Sequence, residues 1–288
     1  MILITGASGH VGKEVLKQIA QMKAQVRAAF QSVSKAAAAP SEVEIVSVDY
    51  NQPETLRSAL KGVDRVFLVG PPTSELPALE RKAMDVISQS DVRHVVKLSA
   101  MGGREAIFPR QHADSEAYIE SSGVPYTFLR ANGFMQNAIN YSGATINTQN
   151  AFYGSEGAGR VSQIDLRDVA AVAVKALTED GHVGKAYTLT GLAALMNSEI
   201  AQILSDKLGR EVRYINLPPV QLKEALLSAG VPEWNADALL DLHRFYREGK
   251  AETVTRDVEQ ILGRKPISFA QFARDYRYAF EARERAAS

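Results

Sequence analysis

The chain has 288 residues, with 33 Lys and Arg against 33 Asp and Glu, so its formal net charge is zero. That balance gives no overall basic field of the kind that collects nucleic-acid phosphates. Cysteine is absent, which excludes disulfides, thiolate zinc sites and a cysteine nucleophile.

The first half of the chain alternates between short apolar runs and segments with helical periodicity. The runs have strand length and are rich in Val, Ile and Phe, whereas the segments place apolar residues three or four apart. We predict strands at 2–5, 25–30, 44–48, 65–69, 94–99 and 126–130, and helices at 11–22, 53–61, 74–90 and 110–122. Strand–helix repetition with short connections predicts an α/β fold, a Rossmann-type doubly wound parallel sheet.

The pattern changes after residue 132. Residues 132–155 carry no charge and are rich in Asn, Gly, Ser and Tyr, which favours a lining loop. A helix at 166–178 and a strand at 185–190 are expected to return to the sheet, and the chain is mostly helical from 197 on. The predicted domains are therefore 1–154, joined by segments near 166–190, and a smaller, mainly helical domain over 155–288.

The glycine turn at residues 6–12, which we define as Gly6-Ala7-Ser8-Gly9-His10-Val11-Gly12, links the first strand to the first helix. Gly6 permits a tight turn, Gly9 lets the backbone approach a pyrophosphate, and Gly12 lets the helix pack on the strand. The helix start presents free N–H groups to phosphates. The turn predicts an NAD(P)(H) site that uses Ser8, His10 and Val11 as well as the glycines; the alternative is a βα turn without a ligand.

The ribose end of this site favours NADP(H). NAD-preferring sites place an acidic residue about 20 positions past the glycines, and no residue from Val15 to Ser41 is acidic. Gln31 and Lys35 tolerate a 2′-phosphate that a carboxylate would repel. NAD(H) stays possible because no Arg is present to clamp the phosphate, and both residues are alternatively plain surface positions.

Further cofactor contacts are expected where the other strands end, because ligands of open α/β sheets bind at the carboxyl edge. The Asp49 carboxylate is placed to accept from the adenine amine, although Asp is also a common turn former. The predicted contacts at this edge are Asp49, Tyr50, Val69, Gly70, Pro71, Ser99, Asn132 and Phe134.

Several stretches together resemble the NmrA-like atypical short-chain dehydrogenases, with the nearest likeness to triphenylmethane reductases and bacterial NAD(P)H:quinone oxidoreductases. The stretches that carry the resemblance are 5–12, 49–51, 123–130, 181–187 and 229–233. The resemblance implies an N-terminal NADP(H) domain, a smaller C-terminal part and an acceptor in the cleft between them. The chain departs from the family at Gln31, where Arg is common.

Short-chain dehydrogenases usually protonate a carbonyl with a Tyr-x-x-x-Lys pair. The one match, Tyr246 with Lys250, lies far beyond the predicted sheet on a segment interrupted by glycine, and we reject it as catalytic. Ketone reduction creates an alkoxide that needs a positioned acid, whereas a quinone gives a much less basic phenolate and a cationic dye is neutralised by hydride alone. We therefore expect direct hydride transfer to an electron-poor acceptor.

His112 is the candidate catalytic residue, because the related reductases place His there. It is expected to donate to the acceptor oxygen, with Glu116 one helical turn on holding the imidazole; the alternative is a surface His paired with Glu116. The predicted acceptor pocket is aromatic, with ordinary core packing as the alternative for each residue. Its predicted members are Met101, Phe108, Tyr153, Trp234 and Phe245.

The sequence thus predicts an NAD(P)H-dependent oxidoreductase for quinone-like or dye-like acceptors. The alternative is an NADP(H)-binding redox sensor without catalysis, and a sugar-nucleotide epimerase is disfavoured because the acid–base Tyr is missing. The expected partner is a small aromatic acceptor, with no nucleic acid, metal or membrane, and the expected state is a monomer or homodimer. No signal peptide is recognisable, and we expect a cytoplasmic protein.

Overall fold

The computed structural model of the protein describes residues 1–22, 24–32, 40 and 43–281. The strands are β1 (Ile2–Ile4), β2 (Val26–Phe30), β3 (Glu44–Ser47), β4 (Arg65–Leu68), β5 (His94–Ala100), β6 (Tyr126–Ala131), β7 (Ala151–Gly154), β8 (Arg160–Val161), β9 (Lys185–Leu189), β10 (Leu195–Met196) and β11 (Arg213–Asn216). The helices are α1 (His10–Ala20), α2 (Pro53–Ala59), α3 (Leu76–Ile87), α4 (Ile107–Ser121), α5 (Asn137–Asn140), α6 (Gly143–Gln149), α7 (Leu166–Thr178), α8 (Asn197–Leu208), α9 (Pro219–Ser228), α10 (Glu233–Arg247), α11 (Asp257–Leu262) and α12 (Phe269–Asp275), followed by a 3₁₀ turn at Arg277–Phe280.

The chain divides into two compact units. Unit 1 holds Met1–Ala131, Leu166–Leu189 and Asp257–Arg264, and unit 2 holds Asn132–Asp165, Thr190–Arg256 and the residues from Lys265 on. None of the helices in the described part of the chain combines the length and the apolar character needed to cross a bilayer.

Unit 1 is built on a seven-stranded sheet in the order β3-β2-β1-β4-β5-β6-β9. Every neighbouring pair is parallel. The predicted Rossmann-type fold is therefore confirmed. The strand order reverses beside β1, so the carboxyl ends of β1 and β4 form the switch point where such sheets bind ligands.

The core of unit 1 follows from strands that are buried on both faces. Leu3, Val66 and Phe128 of the sheet have no exposed surface and pack with residues from the helices, such as Met84 and Ile119. Parallel strands covered by helices require near-continuous apolar runs, which is the pattern the sequence has. A charged residue inside such a strand needs a buried partner. Strand β5 contains such a charged residue, Lys97.

Unit 2 has its own core and two small sheets. β11 pairs in parallel with β7, and β10 pairs antiparallel with β8. Leu204, Phe272 and Phe280 are fully buried in this core together with Ile146 and Phe152.

The structure corrects the interpretation of residues 132–155, which are not a lining loop. They form α5, α6 and β7, and they pack in unit 2 rather than with the first domain. The physical reason is that Met135, Ile146 and Phe152 are buried there, so the lack of charge reflects a core and not a surface. A further difference is that α4 begins at Ile107, three residues before the predicted start.

Candidate cofactor site and its buried polar array

The glycine turn leads directly from β1 into α1. Gly6 has a φ of +60°, and the Gly9 N–H donates to the Gly6 carbonyl at 2.9 Å. Gly9 is the N-cap of α1, and no side chain caps the helix. The Lys13 N–H donates to the Gly9 carbonyl at 3.0 Å. The N–H groups of residues 10–12 lie before this first helical hydrogen bond and so have no acceptor within the helix. The first helical turn contains no acidic residue. The uncapped amides fit a pyrophosphate.

Glycine is required here by backbone proximity. A Cβ on Gly12 would lie 2.2 Å from the Gly6 carbonyl oxygen, and a Cβ on Gly6 would lie 2.9 Å from the Val69 Cβ. The turn therefore packs tightly against both the start of α1 and the end of β4. Of the other residues predicted in the turn, Ser8 is half-buried, His10 is exposed and Val11 is buried.

Thr5, which the sequence analysis did not single out, connects the ends of β1 and β4. Its hydroxyl donates to the Phe67 carbonyl at 2.9 Å and accepts from the Val69 N–H at 2.8 Å. The Tyr50 hydroxyl donates to the Val69 carbonyl at 3.2 Å. Burial raises the pKa of Tyr50, so it stays protonated as this donor. These bonds hold Val69 against Gly6. The position of Thr5 directly before the glycine turn was the sequence signal that could have indicated this role.

The predicted ribose and adenine residues have simple surroundings. Gln31 is exposed at the end of β2, and Lys35 lies outside the described residues. Asp49 accepts from the Asn51 N–H at 2.9 Å, which is the turn-forming alternative considered for this residue. Pro71 is exposed after β4. A cofactor role for each of these residues stays a prediction.

A buried ion pair supports the loop after β4. The Gly70 N–H donates to Glu80 Oε1 of α3 at 3.0 Å, and a Cβ on Gly70 would lie 2.9 Å from that oxygen. Lys97 of β5 places its Nζ 2.7 Å from Glu80 Oε2, and the two side chains are 0% and 1% exposed. Sequence reasoning missed this pair. A Lys inside an apolar strand was the signal for it, but the sequence did not indicate its partner.

His112, the candidate catalytic residue, is attached to the same pair. Lys97 Nζ lies 3.2 Å from His112 Nδ1 and also donates to the Leu98 carbonyl at 3.0 Å. The His112 ring is half-buried, and among the described residues its side chain has one hydrogen-bond contact, that of Nδ1 with Lys97. Burial, together with the Lys97 charge, holds the pKa of His112 well below its usual value. The ring is therefore neutral.

Glu116 does not hold His112, contrary to the expectation. Its carboxylate accepts from the Ser99 hydroxyl at 2.5 Å and from Arg130 at 2.7 to 3.1 Å. A guanidinium gives a carboxylate two charge-assisted bonds, which are stronger than one bond to a neutral imidazole. Ser99 is 3% exposed, and its hydroxyl is engaged with Glu116.

The candidates in unit 2 have mainly structural contacts. The Asn132 amide donates to Ser162 Oγ at 2.8 Å and to the Ala251 carbonyl at 2.9 Å, and its oxygen accepts from the Gly133 N–H at 2.8 Å. Both N–H donors of the Asn132 amide are engaged, so a hydrogen bond from a cofactor to this side chain would have to use the oxygen that already accepts from Gly133. Phe134 is half-buried and bridges to Ile164.

The predicted pocket residues are divided between the units. Met101 and Phe108 of unit 1 are half-buried. In unit 2, Trp234 is half-buried, Tyr153 is 39% exposed and Phe245 is 2% exposed. The face of Phe245 is thus packed in the interior, in agreement with the alternative of core packing for this residue.

The Tyr-x-x-x-Lys match at the end of α10 does not form a pair on one helical face. The helix ends at Arg247, so Tyr246 lies in its last turn and Lys250 lies beyond it. Gly249, with a φ of +73°, turns the chain between them. Lys250 forms an ion pair with Glu248 at 2.9 Å.

Comparison with known proteins gives both a family and close relatives. A family model described as NAD(P)H-binding matches residues 6–180. An NAD(P)H azoreductase of Xenophilus azovorans is 34% identical over 98% of this chain and 100% of its own length.

Two solved structures share the fold over almost the whole chain. The triphenylmethane reductase of Citrobacter sp. complexed with NADP(H) has a TM-score of 0.87 at 26% identity, over 96% of this chain and 99% of that one. The NADPH-dependent quinone oxidoreductase of Escherichia coli complexed with NADPH has a TM-score of 0.86 at 26% identity, over 95% and 98%.

Proposed function

This chain belongs to the NAD(P)H-binding family and is an NAD(P)H-dependent oxidoreductase, and we propose that it reduces small aromatic acceptors such as quinones and azo or triarylmethane dyes. The observation that carries the proposal is the uncapped start of α1, where the glycine turn presents free amides to a dinucleotide. The acceptor class is supported by the activities after which the azoreductase, quinone oxidoreductase and triphenylmethane reductase relatives are named.

NADPH is the favoured reductant. Gln31 and Ser32 are exposed at the end of β2, and neither carries a carboxylate that would repel a 2′-phosphate. The structures of the quinone oxidoreductase and the triphenylmethane reductase hold NADPH and NADP(H), respectively.

In the proposed mechanism, the reduced nicotinamide supplies a hydride when the cofactor is bound. With a quinone, hydride addition leaves a hydroquinone monoanion, which takes a proton from solvent. The protein has to position the acceptor and stabilise the new charge, and His112 Nε2–H is the group that we assign to donate to the anionic oxygen. Helix α4 carries no Tyr-x-x-x-Lys pair, which suits acceptors that need no strong acid.

The test is steady-state oxidation of NADPH and NADH with a panel of quinones, azo dyes and triarylmethane dyes. We expect turnover with at least one aromatic class and a higher kcat/KM for NADPH than for NADH. Binding of NADPH at micromolar affinity with no turnover of any acceptor would contradict the proposal and favour a redox sensor.

The role of His112 has a separate test. His112→Ala should lower kcat for quinones by about 10- to 100-fold, at or below the contribution of one oxyanion donor. A cationic triarylmethane dye is the matched control, because its reduction creates no oxyanion and should change little. Unchanged quinone turnover in His112→Ala would remove this residue from the mechanism.

We further propose that the protein acts in the cytoplasm, since the lack of cysteine suits a reducing compartment, and that it is a monomer or homodimer. Light scattering of the purified protein measures the second point. A larger assembly would contradict it.

A further inference from the structure

We propose that Lys97, held by Glu80, is a positioning residue that fixes His112 as an Nε2–H donor and links this donor to the cofactor loop after β4. The inference deepens the proposed function and rests on it for its kinetic consequence. The tautomer that it assigns to His112 is independent of any activity.

The number of hydrogen-bond donors on Lys97 determines which nitrogen of His112 carries the ring proton. An ammonium group has three N–H donors and no acceptor. Lys97 Nζ has three acceptor groups within 3.2 Å, namely the Glu80 carboxylate, the Leu98 carbonyl and His112 Nδ1. Because Lys97 can only donate, Nδ1 of His112 must accept, and the ring proton then lies on Nε2.

The surroundings of His112 also keep its ring uncharged. Burial disfavours a second proton on the imidazole, and the Lys97 cation next to Nδ1 acts in the same direction, so both lower the pKa of His112. The result is a single neutral tautomer whose Nε2–H is available to donate a hydrogen bond to an acceptor. Such a donor stabilises a weakly basic phenolate without having to give up its proton.

Glu80 also contacts the backbone of the loop after β4, at Gly70. Glu80 accepts from both the Gly70 N–H and Lys97, so one carboxylate orients the loop backbone and the ammonium group. The two side chains are 0% and 1% exposed, and groups packed in the interior in this way have little freedom to shift. The Lys97–Glu80 ion pair therefore contacts both His112, the proposed donor, and the loop after β4 that borders the glycine turn.

The tautomer is tested first by NMR. Long-range ¹⁵N–¹H correlations distinguish the Nε2–H from the Nδ1–H ring, and a His112→Ala sample identifies the His112 signals among those of the five histidines. We expect Nε2–H in the wild type and a shift of population toward Nδ1–H in Lys97→Met. An Nδ1–H or imidazolium ring in the wild type at neutral pH would overturn the inference, whether or not the protein reduces any acceptor.

The kinetic test uses the ratio of quinone to triarylmethane-dye turnover. Lys97→Met should lower kcat for the quinone by at least about tenfold and change dye turnover by less than about twofold, because only the quinone product is an oxyanion. In a double-mutant cycle, adding Lys97→Met to His112→Ala should not lower the ratio further. A purely structural role would reduce both activities together.

Two further variants cover a folding failure of Lys97→Met and provide a control. If Lys97→Met does not fold, Lys97→Met/Glu80→Gln removes both charges while the Gln oxygen still accepts from Gly70, and the same loss of ratio is expected. Arg130→Met, which breaks the neighbouring pair with Glu116, is the matched control and should leave the ratio unchanged. An equal fall in both activities, or a ratio that falls equally in the control, would contradict the inference. A wild-type protein inactive toward both acceptors with His112 as Nε2–H would instead refute the proposed function alone.

Discussion

The glycine turn and the Lys97–Glu80–His112 array lie in the same unit but are built in opposite ways. The turn consists of backbone and depends on the absence of side-chain atoms, since a single Cβ at Gly12 would come within 2.2 Å of a carbonyl oxygen. The array consists of side chains and depends on charge, since Lys97 and Glu80 neutralise each other with no contact to water.

The two regions should therefore tolerate different substitutions. The turn should tolerate changes in nearby charge but no added atom at its glycines. The array should keep most of its contribution to folding stability when both charges are removed. It should lose that contribution when one charge is left buried without its partner.

The largest effect is expected from Lys97→Met, because it leaves the Glu80 carboxylate buried without a partner. The free energy of unfolding should fall by about 3–5 kcal/mol, as measured by urea denaturation. The double variant Lys97→Met/Glu80→Gln should recover much of this loss. Lys175→Met, which removes a lysine from an exposed ion pair with Glu179, is the control and should change stability by less than about 1 kcal/mol. A similar loss in the control would show that burial of the pair is not the cause.

The next largest effect is expected from Gly12→Ala. Overpacking at such a contact typically costs about 1–3 kcal/mol, and the turn must deform to relieve it, so NADPH affinity should fall by up to about 100-fold. Titration of cofactor fluorescence measures this. Gly143→Ala is the control, because the nearest atom to its added Cβ is 4.0 Å away. Unaltered NADPH binding by Gly12→Ala would contradict the backbone-built site.

A third effect comes from the amino end of β5, where His94 is buried and bonded to Thr127 at 2.8 Å. Burial, followed by the charges of Arg65 and His182, lowers the pKa of His94 from 6.5 to about 4. Between these values the unfolded chain binds a proton that the folded chain does not. The His94 contribution to the free energy of unfolding should therefore be fully present above pH 6.5. It should fall by about 1–3 kcal/mol as the pH drops toward 4.

His94→Gln keeps a donor for Thr127 without a titrating ring, so its stability should depend less on pH over this range. Urea denaturation at several pH values measures the slope. The same slope in the variant and the wild type would assign the pH dependence to other groups.

The smallest effect is expected from Gln31→Asp at the exposed end of β2. A carboxylate repels the 2′-phosphate and accepts from the ribose hydroxyl, so the preference for NADPH over NADH should fall by about tenfold, or roughly 1.4 kcal/mol. The ratio of kcat/KM for the two cofactors measures it, with Gln31→Asn as the neutral control. An equal change in the control would indicate that the charge is irrelevant.

Much of unit 1 could be predicted because its signals are local. The apolar runs, the helical periodicity and the three glycines each lie within a few residues, and the parallel sheet that they predict is confirmed. The prediction for residues 132–155 was wrong because an uncharged segment rich in Asn and Gly has the composition of either a loop or a buried element. Only the core formed by Ile146 and Phe152 distinguishes the two.

The sequence by itself determined the dinucleotide turn, since close backbone approach requires glycine at fixed spacing and local geometry needs no distant partner. The tertiary structure decided how the buried charges pair. Glu80, Lys97 and His112 are 15 or more residues apart on α3, β5 and α4, and Glu116 pairs with Arg130 rather than His112 because β6 lies beside β5. Such pairing depends on which elements become neighbours, and spacing along a chain does not specify that.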